Sequence, residues 1–169
     1  MFDGLIEGGN IDDMVFYYYF RENERNSMSL PVSIPESVSL AIHAMARLAA
    51  GGSEAVKLND LLIKPGSAAH LSKVMQKLTK AGMVKSRRGR GGGFTLGVKA
   101  SDIRLMDIWI ALEGTFETSI CPYLGNGCAQ PICLFGTIGK DAAQLIREYF
   151  TNTTVEDIGK LLVQGTGSN

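Results

Sequence analysis

The 169-residue chain lacks the features that identify membrane and secreted proteins. It has no run of about 18 consecutive apolar residues, so no membrane-spanning helix is predicted. Its N-terminus has no basic segment followed by an apolar one, which argues against a secretory signal. Because it also has only three cysteines, we expect a reducing cytoplasm rather than a disulfide-stabilised exterior.

Acidic side chains are missing from a long stretch of the sequence. The window from Leu61 to Ser101 holds nine basic residues and no acidic one, which leaves eight of the 17 basic residues and all 17 acidic residues elsewhere. A neutral chain with one strongly basic segment is typical of a protein that contacts a polyanion there. The alternative is a solvated basic face without a partner.

Catalytic motifs are scarce as well. The chain holds two histidines, and it has no hydrolase elbow and no acid–base pair at motif spacing. Its glycine-rich run at 89–93 lacks the Walker pattern and the strand-to-helix context of a phosphate-binding loop. We therefore predict that the protein is not an enzyme.

What is present is the composition of an ordinary globular domain. Hydrophobic residues make up 45% and charged residues 20% of the chain, which suffices for one core and excludes a disordered or rod-like chain. Residues 1–31 form an N-terminal extension with an aromatic cluster at 16–20. This extension has four possible interpretations: a short strand, a packing arm, an extended translation start or an added leader. Residues 164–169 are predicted to be a frayed tail.

Three helices are predicted after the extension. A capping box at 33–36, with its proline in the first turn, starts a helix that Gly51 ends. A short apolar stretch at 58–63 follows and stops at a Pro-Gly turn. Ser67 caps the next helix, which Gly82 ends. Its buried stripe is predicted to be Leu71, Val74, Met75 and Leu78.

Residues 83–96 predict a β-hairpin, because they consist of a strand, a basic glycine-rich turn and a second strand. Two helices joined by a tight turn and followed by such a hairpin form a winged helix, here residues 32–100, with the hairpin as its wing and the helix after Ser67 as its recognition helix. The first turn of a recognition helix meets base edges, and wing arginines contact phosphates or the minor groove. The candidate DNA contacts are Ser67, His70, Lys73, Lys77, Arg87, Arg88 and Arg90.

The rest of the chain is predicted to be helical around one long loop. A helix runs from Ser101 through Glu113, residues 115–133 form a cysteine loop, and residues 141–150 form an amphipathic helix. A second capping box at 153–156 precedes a short helix that ends near Val163. The predicted fold is therefore mainly α with a small β-hairpin.

The cysteine loop is the second candidate site. Cys121, Cys128 and Cys133 are separated by six and four residues. Thiolates bind zinc and iron–sulfur clusters, so these cysteines are candidate metal ligands. The alternatives to a metal site are a disulfide with a spare thiol, reactive thiols, or inert small side chains. His43 lies between apolar positions of the first helix, where a core or interface role is the more common one.

Residues 32–162 resemble the IscR/NsrR/CymR family of bacterial winged-helix transcription regulators, the Rrf2 superfamily. The matching segments are SLAIHAMARLAA, HLSKVMQKLTKAGMV, RRGRGGGFTL, ASDIRLMDIWIALEG and TVEDI, together with the three-cysteine loop. The resemblance implies a winged helix-turn-helix plus a long dimerisation helix at about 132–150, within a dimerisation region at 101–163. It also implies a homodimer that represses transcription from a double-stranded DNA operator, with Arg88 in the minor groove.

Family members with three cysteines in this loop commonly hold a [2Fe-2S] or [4Fe-4S] cluster that controls DNA affinity. The resemblance therefore implies that Cys121, Cys128 and Cys133 bind an iron–sulfur cluster. The unequal cysteine gaps and the lack of histidine at 134–140 depart from the family pattern. The fourth ligand stays open among Glu36, His43, Ser39, a solvent species or none. A metal-free regulator gated by a small ligand or a partner protein is the alternative function.

Overall fold

The computed structural model describes residues 34–89, 91–116 and 137–165. These ranges contain six α-helices and one antiparallel hairpin, which confirms a mainly α fold with a small β-hairpin. In chain order the elements are α1 (Glu36–Ala50), α2 (Leu58–Leu61), α3 (Ala68–Lys80), β1 (Val84–Arg87), β2 (Gly93–Leu96), a 3-10 turn (Ala100–Asp102), α4 (Leu105–Glu113), α5 (Ile138–Asn152) and α6 (Val155–Gly165). No helix in the described ranges is long and apolar enough to cross a membrane.

Several predictions concern residues outside the described ranges. These residues are the N-terminal extension, Arg90, the three cysteines and the end of the tail at 166–169. The predictions made for them stay predictions. α6 extends to Gly165, beyond the end predicted near Val163.

The core lies where α1, α3 and α4 pack together. The predicted buried stripe of the recognition helix, which is α3, is confirmed. Its members are no more than 2% exposed: Leu71, Val74, Met75 and Leu78. α1 contributes Val38, Ala41, Met45 and Leu48, and α4 contributes Leu105, Ile108, Trp109 and Leu112. Burial of one side of α3 fixes the direction of its opposite, polar side.

α1 begins later than the sequence indicates. Pro35 is its N-cap, with extended backbone (ψ 141°), and Glu36 is the first helical residue. The prediction that Pro35 lies within the first turn is therefore wrong. The Pro35 carbonyl oxygen accepts the first helical hydrogen bond, from Ser39 N–H at 3.0 Å. The predicted end at Gly51 is confirmed.

β2, the second strand of the wing, makes backbone hydrogen bonds along both of its edges. β1 and β2 pair antiparallel, with Val84 opposite Leu96. On the other edge of β2, Phe94 and Val56 exchange two backbone hydrogen bonds of 2.9 Å. A Cβ at position 93 would stand 2.5 Å from the Val56 carbonyl oxygen, so Gly93 permits this close approach.

α4 begins at Leu105, and the prediction of a helix from Ser101 is wrong. A 3-10 turn and two extended residues precede it. The extended backbone pairs with the chain before α6: Leu105 N–H donates to Thr153 O at 3.0 Å, and Val155 N–H donates to Ile103 O at 2.9 Å. This long-range pairing overrides the local helical signal.

α6 packs along α1 through small residues and begins with a capping box. A Cβ on Gly159 would stand 2.8 Å from the Ala49 Cβ. The capping box joins Thr154 and Asp157, not the predicted pair at 153–156: Thr154 N–H donates to Asp157 Oδ2 at 2.9 Å, and Asp157 N–H donates to Thr154 Oγ at 3.1 Å. The Thr154 hydroxyl, followed by its backbone N–H, holds the pKa of Asp157 below its ordinary value of 3.8.

α5 carries apolar residues on two sides. Phe150 is buried and Ile146 packs against the core. By contrast, three apolar side chains on α5 are 60%, 69% and 53% exposed: Ile138, Leu145 and Tyr149. Helical periodicity places these three on one line along α5. Residues 132–136 of the predicted dimerisation helix lie outside the described ranges.

Candidate nucleic-acid interface

The start of α3 presents small exposed residues. Ser67 is the N-cap, as predicted, with extended backbone, but its side chain makes no capping hydrogen bond. Ser67, Ala68 and Ala69 are all exposed. The Ser67 hydroxyl can therefore bond to a partner, and the two alanines leave room for a large surface to approach.

His70, in the first turn of α3, contacts the start of α1. Its Nδ1 lies 3.4 Å from Glu36 Oε2, and the two side chains are 35% and 64% exposed. A contact between side chains with this much exposure contributes little to stability. The structure thus joins a predicted DNA contact to a candidate cluster ligand.

The two predicted lysines of α3 differ in their surroundings. Lys73 is exposed and makes no ion pair with another described residue. Lys77 donates from Nζ to the Leu112 carbonyl oxygen at 2.8 Å, in the last turn of α4. Since that carbonyl belongs to the negative end of the α4 dipole, Lys77 holds α3 against α4.

The outward side of α3 includes two residues that the sequence-based set of DNA contacts omits. Gln76 is exposed and Ser72 is half-buried one turn before it, and Gln76 Nε2 is 3.5 Å from Ser72 Oγ. Helical spacing from Ala69 is the signal that could have included them. Glutamine can pair with adenine, and serine can bond to several bases, so both fit a base-reading surface.

The wing turn depends on glycine. Gly89 and Gly91 have φ values of 99° and 82°, a left-handed region that other residues rarely adopt. Gly92 N–H donates to Gly89 O at 2.8 Å, which closes the turn. Gly89 and Gly91 therefore hold backbone conformations that a larger residue would strain, a role beyond leaving space for the arginines.

The wing cations point away from the core. Arg87 ends β1, and Lys85 shares its side of the strand, because alternate residues face the same way. Lys85, Arg87 and Arg88 are exposed. None of the three makes an ion pair with another described residue. Lys85 was missing from the predicted contacts, although its spacing from Arg87 was the signal for it.

Three described residues were candidates for the fourth cluster ligand. Glu36 contacts His70. His43 is exposed, so the core role is wrong and the interface role expected beside it stays a prediction. Its Nδ1 lies 2.8 Å from the Ser39 carbonyl oxygen. A carbonyl oxygen only accepts, so Nδ1 carries the hydrogen and Nε2 carries the lone pair of the neutral ring. Within the described ranges, no three His, Cys, Asp or Glu residues form a metal-binding group.

An aromatic cluster holds the start of the cysteine loop. The Trp109 ring centroid lies 4.8 Å from that of Phe116 and 5.6 Å from that of Phe150. Trp109 Nε1 donates to Thr115 O at 3.2 Å, and the Arg147 guanidinium lies 4.7 Å from the Phe116 ring centroid. Residues 115 and 116 are therefore fixed against α4 and α5.

Comparison with known proteins identifies related transcription regulators. Residues 34–160 match the family model "Rrf2: Iron-dependent Transcriptional regulator". The chain is 31% identical over 106 residues to the regulator IscR of Vibrio campbellii, and the match spans 62% of this chain but only 63% of that protein. It is 30% identical over 130 residues to a helix-turn-helix-type transcriptional regulator of Neisseria meningitidis, covering 76% of this chain and 88% of that protein. The solved structure of T. potens IscR has a TM-score of 0.56 and 26% identity, and covers 80% of this chain and 90% of that chain.

Proposed function

Because the chain belongs to the Rrf2 family of winged-helix transcription regulators, we propose that it represses transcription by binding operator DNA as a homodimer. The observation that carries this proposal is the exposed polar surface formed by α3 and the wing, which follow one another through the turn at Gly82. No acidic residue lies between Leu61 and Ser101 to oppose a phosphate backbone.

The two parts of this surface have different tasks. The start of α3 offers Ser67, His70 and Lys73 to base edges in the major groove. The wing offers Arg87 and Arg88 to phosphates and to the narrow minor groove, where the potential is most negative. The predicted contribution of Arg90 belongs to the same wing turn.

A gel-shift experiment tests the DNA-binding proposal. Duplexes are first selected by the wild-type chain from a random library, and their affinity is then compared for wild type and Arg88→Ala. We expect the wild type to enrich one sequence motif and Arg88→Ala to bind the selected duplex about tenfold more weakly. Failure of the wild type to enrich any motif would contradict the proposal.

The homodimer is proposed to form through the exposed line on α5. Ile138, Leu145 and Tyr149 present apolar surface that a second copy would bury. Leu145→Glu is expected to give a monomer in sedimentation velocity. The matched control is Leu161→Glu, because Leu161 is 59% exposed on α6. A dimer that persists in Leu145→Glu would exclude α5 as the interface.

The signal is proposed to enter at the cysteine loop. Cys121, Cys128 and Cys133 would hold a [2Fe-2S] or [4Fe-4S] cluster, whose chemistry when bound is one-electron transfer and sensitivity to oxidants. His43 is the fourth ligand that fits best, since its Nδ1–H is held by the Ser39 carbonyl and its Nε2 lone pair is exposed.

A physical connection from the cysteine loop to α3 supports gating. The loop begins just after α4, and Lys77 of α3 is bonded to Leu112 in the last turn of that helix. Phe116 is buried against α4 and α5, so a change in the loop would act on packed residues. α3 would then change its position relative to its copy in the dimer.

Anaerobic purification tests the gating proposal. We expect a coloured protein with stoichiometric iron and sulfide, and a colourless Cys128→Ala variant that still forms a dimer. Weaker colour or altered absorption is expected for His43→Ala, because it loses the proposed nitrogen ligand. A colourless wild type that binds its operator equally in oxidising and reducing buffer would favour control by a small ligand or a partner protein.

A further inference from the structure

Glu36 lies outside the DNA-facing surface and contacts His70, a side chain in the first turn of α3 within that surface. Glu36 is the first residue of α1, and His70 lies in the first turn of α3. We infer that Glu36 is a specificity-determining residue, which sets the hydrogen-bonding character of His70 and thereby the base that α3 prefers. This inference rests on the proposed DNA-binding function.

The backbone at Glu36 is held in place by the two residues that follow it. The next residue, Ser37, donates from its hydroxyl to Glu113 Oε1 at the end of α4. Val38 is fully buried in the core. Two successive anchors therefore hold the first turn of α1, so the Glu36 carboxylate is presented to His70 by a rigid element.

The chemistry of the contact restricts the imidazole. A carboxylate only accepts hydrogen bonds and repels a lone pair, so Glu36 Oε2, 3.4 Å from Nδ1 of His70, favours the ring forms that carry a hydrogen on Nδ1. In the neutral ring Nε2 is then an acceptor, which suits the exocyclic amino group of cytosine or adenine in the major groove. Without Glu36, the ring can adopt the opposite tautomer, whose Nε2–H would instead donate to guanine or thymine oxygen.

The exposure of the pair indicates that its role is not to stabilise the fold. The side chains are 35% and 64% exposed, and polar contacts between side chains this exposed change stability very little. A carboxylate beside a DNA-facing surface also repels phosphates. Glu36 therefore costs nonspecific affinity, and the compensating effect we expect is selectivity for one base.

The test compares wild type, Glu36→Gln, His70→Ala and the double variant by selection of duplexes from a random library. We expect Glu36→Gln to lose about fivefold of the preference at one base position, since one good base contact discriminates by at least this factor. His70→Ala should lose the preference at the same position, and the double variant should lose no more than His70→Ala. Glu36→Gln should also bind nonspecific DNA more tightly.

Glu156→Gln is the matched control, because Glu156 forms an exposed ion pair with Lys160 on α6. This control should keep the wild-type motif, and all variants should keep the wild-type melting temperature. Nitrogen-15 NMR of the imidazoles gives a readout without DNA, and its assignment is simple because the chain has two histidines. The neutral His70 ring should carry its hydrogen on Nδ1 in wild type, and this preference should weaken in Glu36→Gln.

Several results would overturn the inference. If wild type enriches a motif and Glu36→Gln enriches the same motif with the same selectivity, Glu36 does not set specificity although the DNA-binding function stands. Equal losses in Glu36→Gln and Glu156→Gln would also reject it, as would an unchanged His70 tautomer. If wild type enriches no motif, both the function and the inference fail.

Discussion

Two side chains of α3 and the cations of the wing are presented to the same proposed partner in opposite ways. On α3, His70 contacts Glu36 and Lys77 donates to Leu112 O. On the wing, Lys85, Arg87 and Arg88 have no ion-pair partner within the described part of the chain. Side chains that are already bonded are oriented before they meet a ligand, whereas unpaired cations can follow the phosphates without losing an internal bond.

This difference separates selectivity from affinity. An oriented imidazole or amide discriminates between bases because its donors and acceptors are fixed in direction. An unpaired arginine neutralises phosphates whatever the base sequence, and its contribution falls as salt rises. α3 is therefore expected to determine which duplex is bound, and the wing how tightly any duplex is bound.

The largest effect on this separation of selectivity from affinity is expected when the whole wing is displaced. Gly93→Ala places a Cβ where it meets the Val56 carbonyl oxygen at 2.5 Å. Overpacking of this kind costs about 1–3 kcal/mol of unfolding free energy. Loss of the wing contacts should weaken binding to all duplexes by about 100-fold. Thermal unfolding and fluorescence anisotropy measure the two effects.

Gly165→Ala is the control for this substitution, because a Cβ there meets nothing within 4 Å. It should change neither stability nor affinity. If Gly93→Ala behaved like Gly165→Ala, anchoring of β2 to Val56 would be irrelevant to the wing.

Removing the wing charges while keeping the wing is expected to have the next largest effect. The double variant Arg87→Ala, Arg88→Ala should bind every duplex about tenfold or more weakly, and its salt dependence should lose about two units of slope. Its preference among duplexes should change less than its affinity. Affinities measured over a series of salt concentrations test this, with the exposed Lys140→Ala on α5 as control. An unchanged slope would mean that the two arginines do not contact phosphates.

The two lysines of α3 provide a comparison within one helix. Lys77→Met should lower the unfolding free energy by about 1 kcal/mol, because it removes the bond to Leu112 O at 2.8 Å. Lys73→Met should leave stability unchanged and reduce the salt slope by about one unit. Chemical denaturation and salt titration check the pair. A reversed pattern would place Lys77, as the sequence predicted, among the direct DNA contacts.

The smallest expected effect lies outside both α3 and the wing, and it concerns the stability of the fold at acidic pH. Hydrogen bonds from Thr154 hold the pKa of Asp157 below its ordinary value of 3.8. The folded state therefore favours the ionised carboxylate, and this stabilisation is present above pH 3.8 and is lost as the pH falls through and below that value. Asp157→Asn should lower the melting temperature slightly near neutral pH, and the difference from wild type should shrink as the pH approaches 3.

The exposed Asp102→Asn serves as the comparison for this acid effect. It should follow the wild-type melting curve at each pH. The operator preference of Asp157→Asn should equal that of wild type, because Asp157 belongs to neither α3 nor the wing. An acid response equal to that of wild type would show that the Thr154 capping box does not contribute to stability.

The sequence predicted those parts of the molecule that depend on local pattern. Helical spacing identified the four buried residues of α3, and alternation with glycine identified the wing. The predicted start of α4 was wrong, because the backbone just before α4 pairs with residues near Thr153, far along the chain. The capping box of α6 was displaced by one residue, because the adjacent threonines 153 and 154 both fit the pattern.

The candidate site was predicted by residue type but not by the bonds within it. His70 and Lys73 were identified from the order of helix and turn. The contact of His70 with Glu36, and that of Lys77 with Leu112, join residues from different helices that only tertiary packing brings together. No spacing rule along a single helix contains that information, so the bond from Lys77 to Leu112 was not foreseen, and the candidate role of Lys77 in DNA contact stays a prediction.

Trp109 is the single tryptophan of the chain; its indole N–H donates to the Thr115 carbonyl oxygen, and its ring packs at a tilt against Phe116. The protein therefore carries its one tryptophan fluorophore close to the point where the chain leaves α4 toward the cysteines. Its emission reports on that junction without a label or a second tryptophan to subtract. Rearrangement of the junction during oxidation or DNA binding could be followed in real time by stopped-flow fluorescence of the unmodified protein.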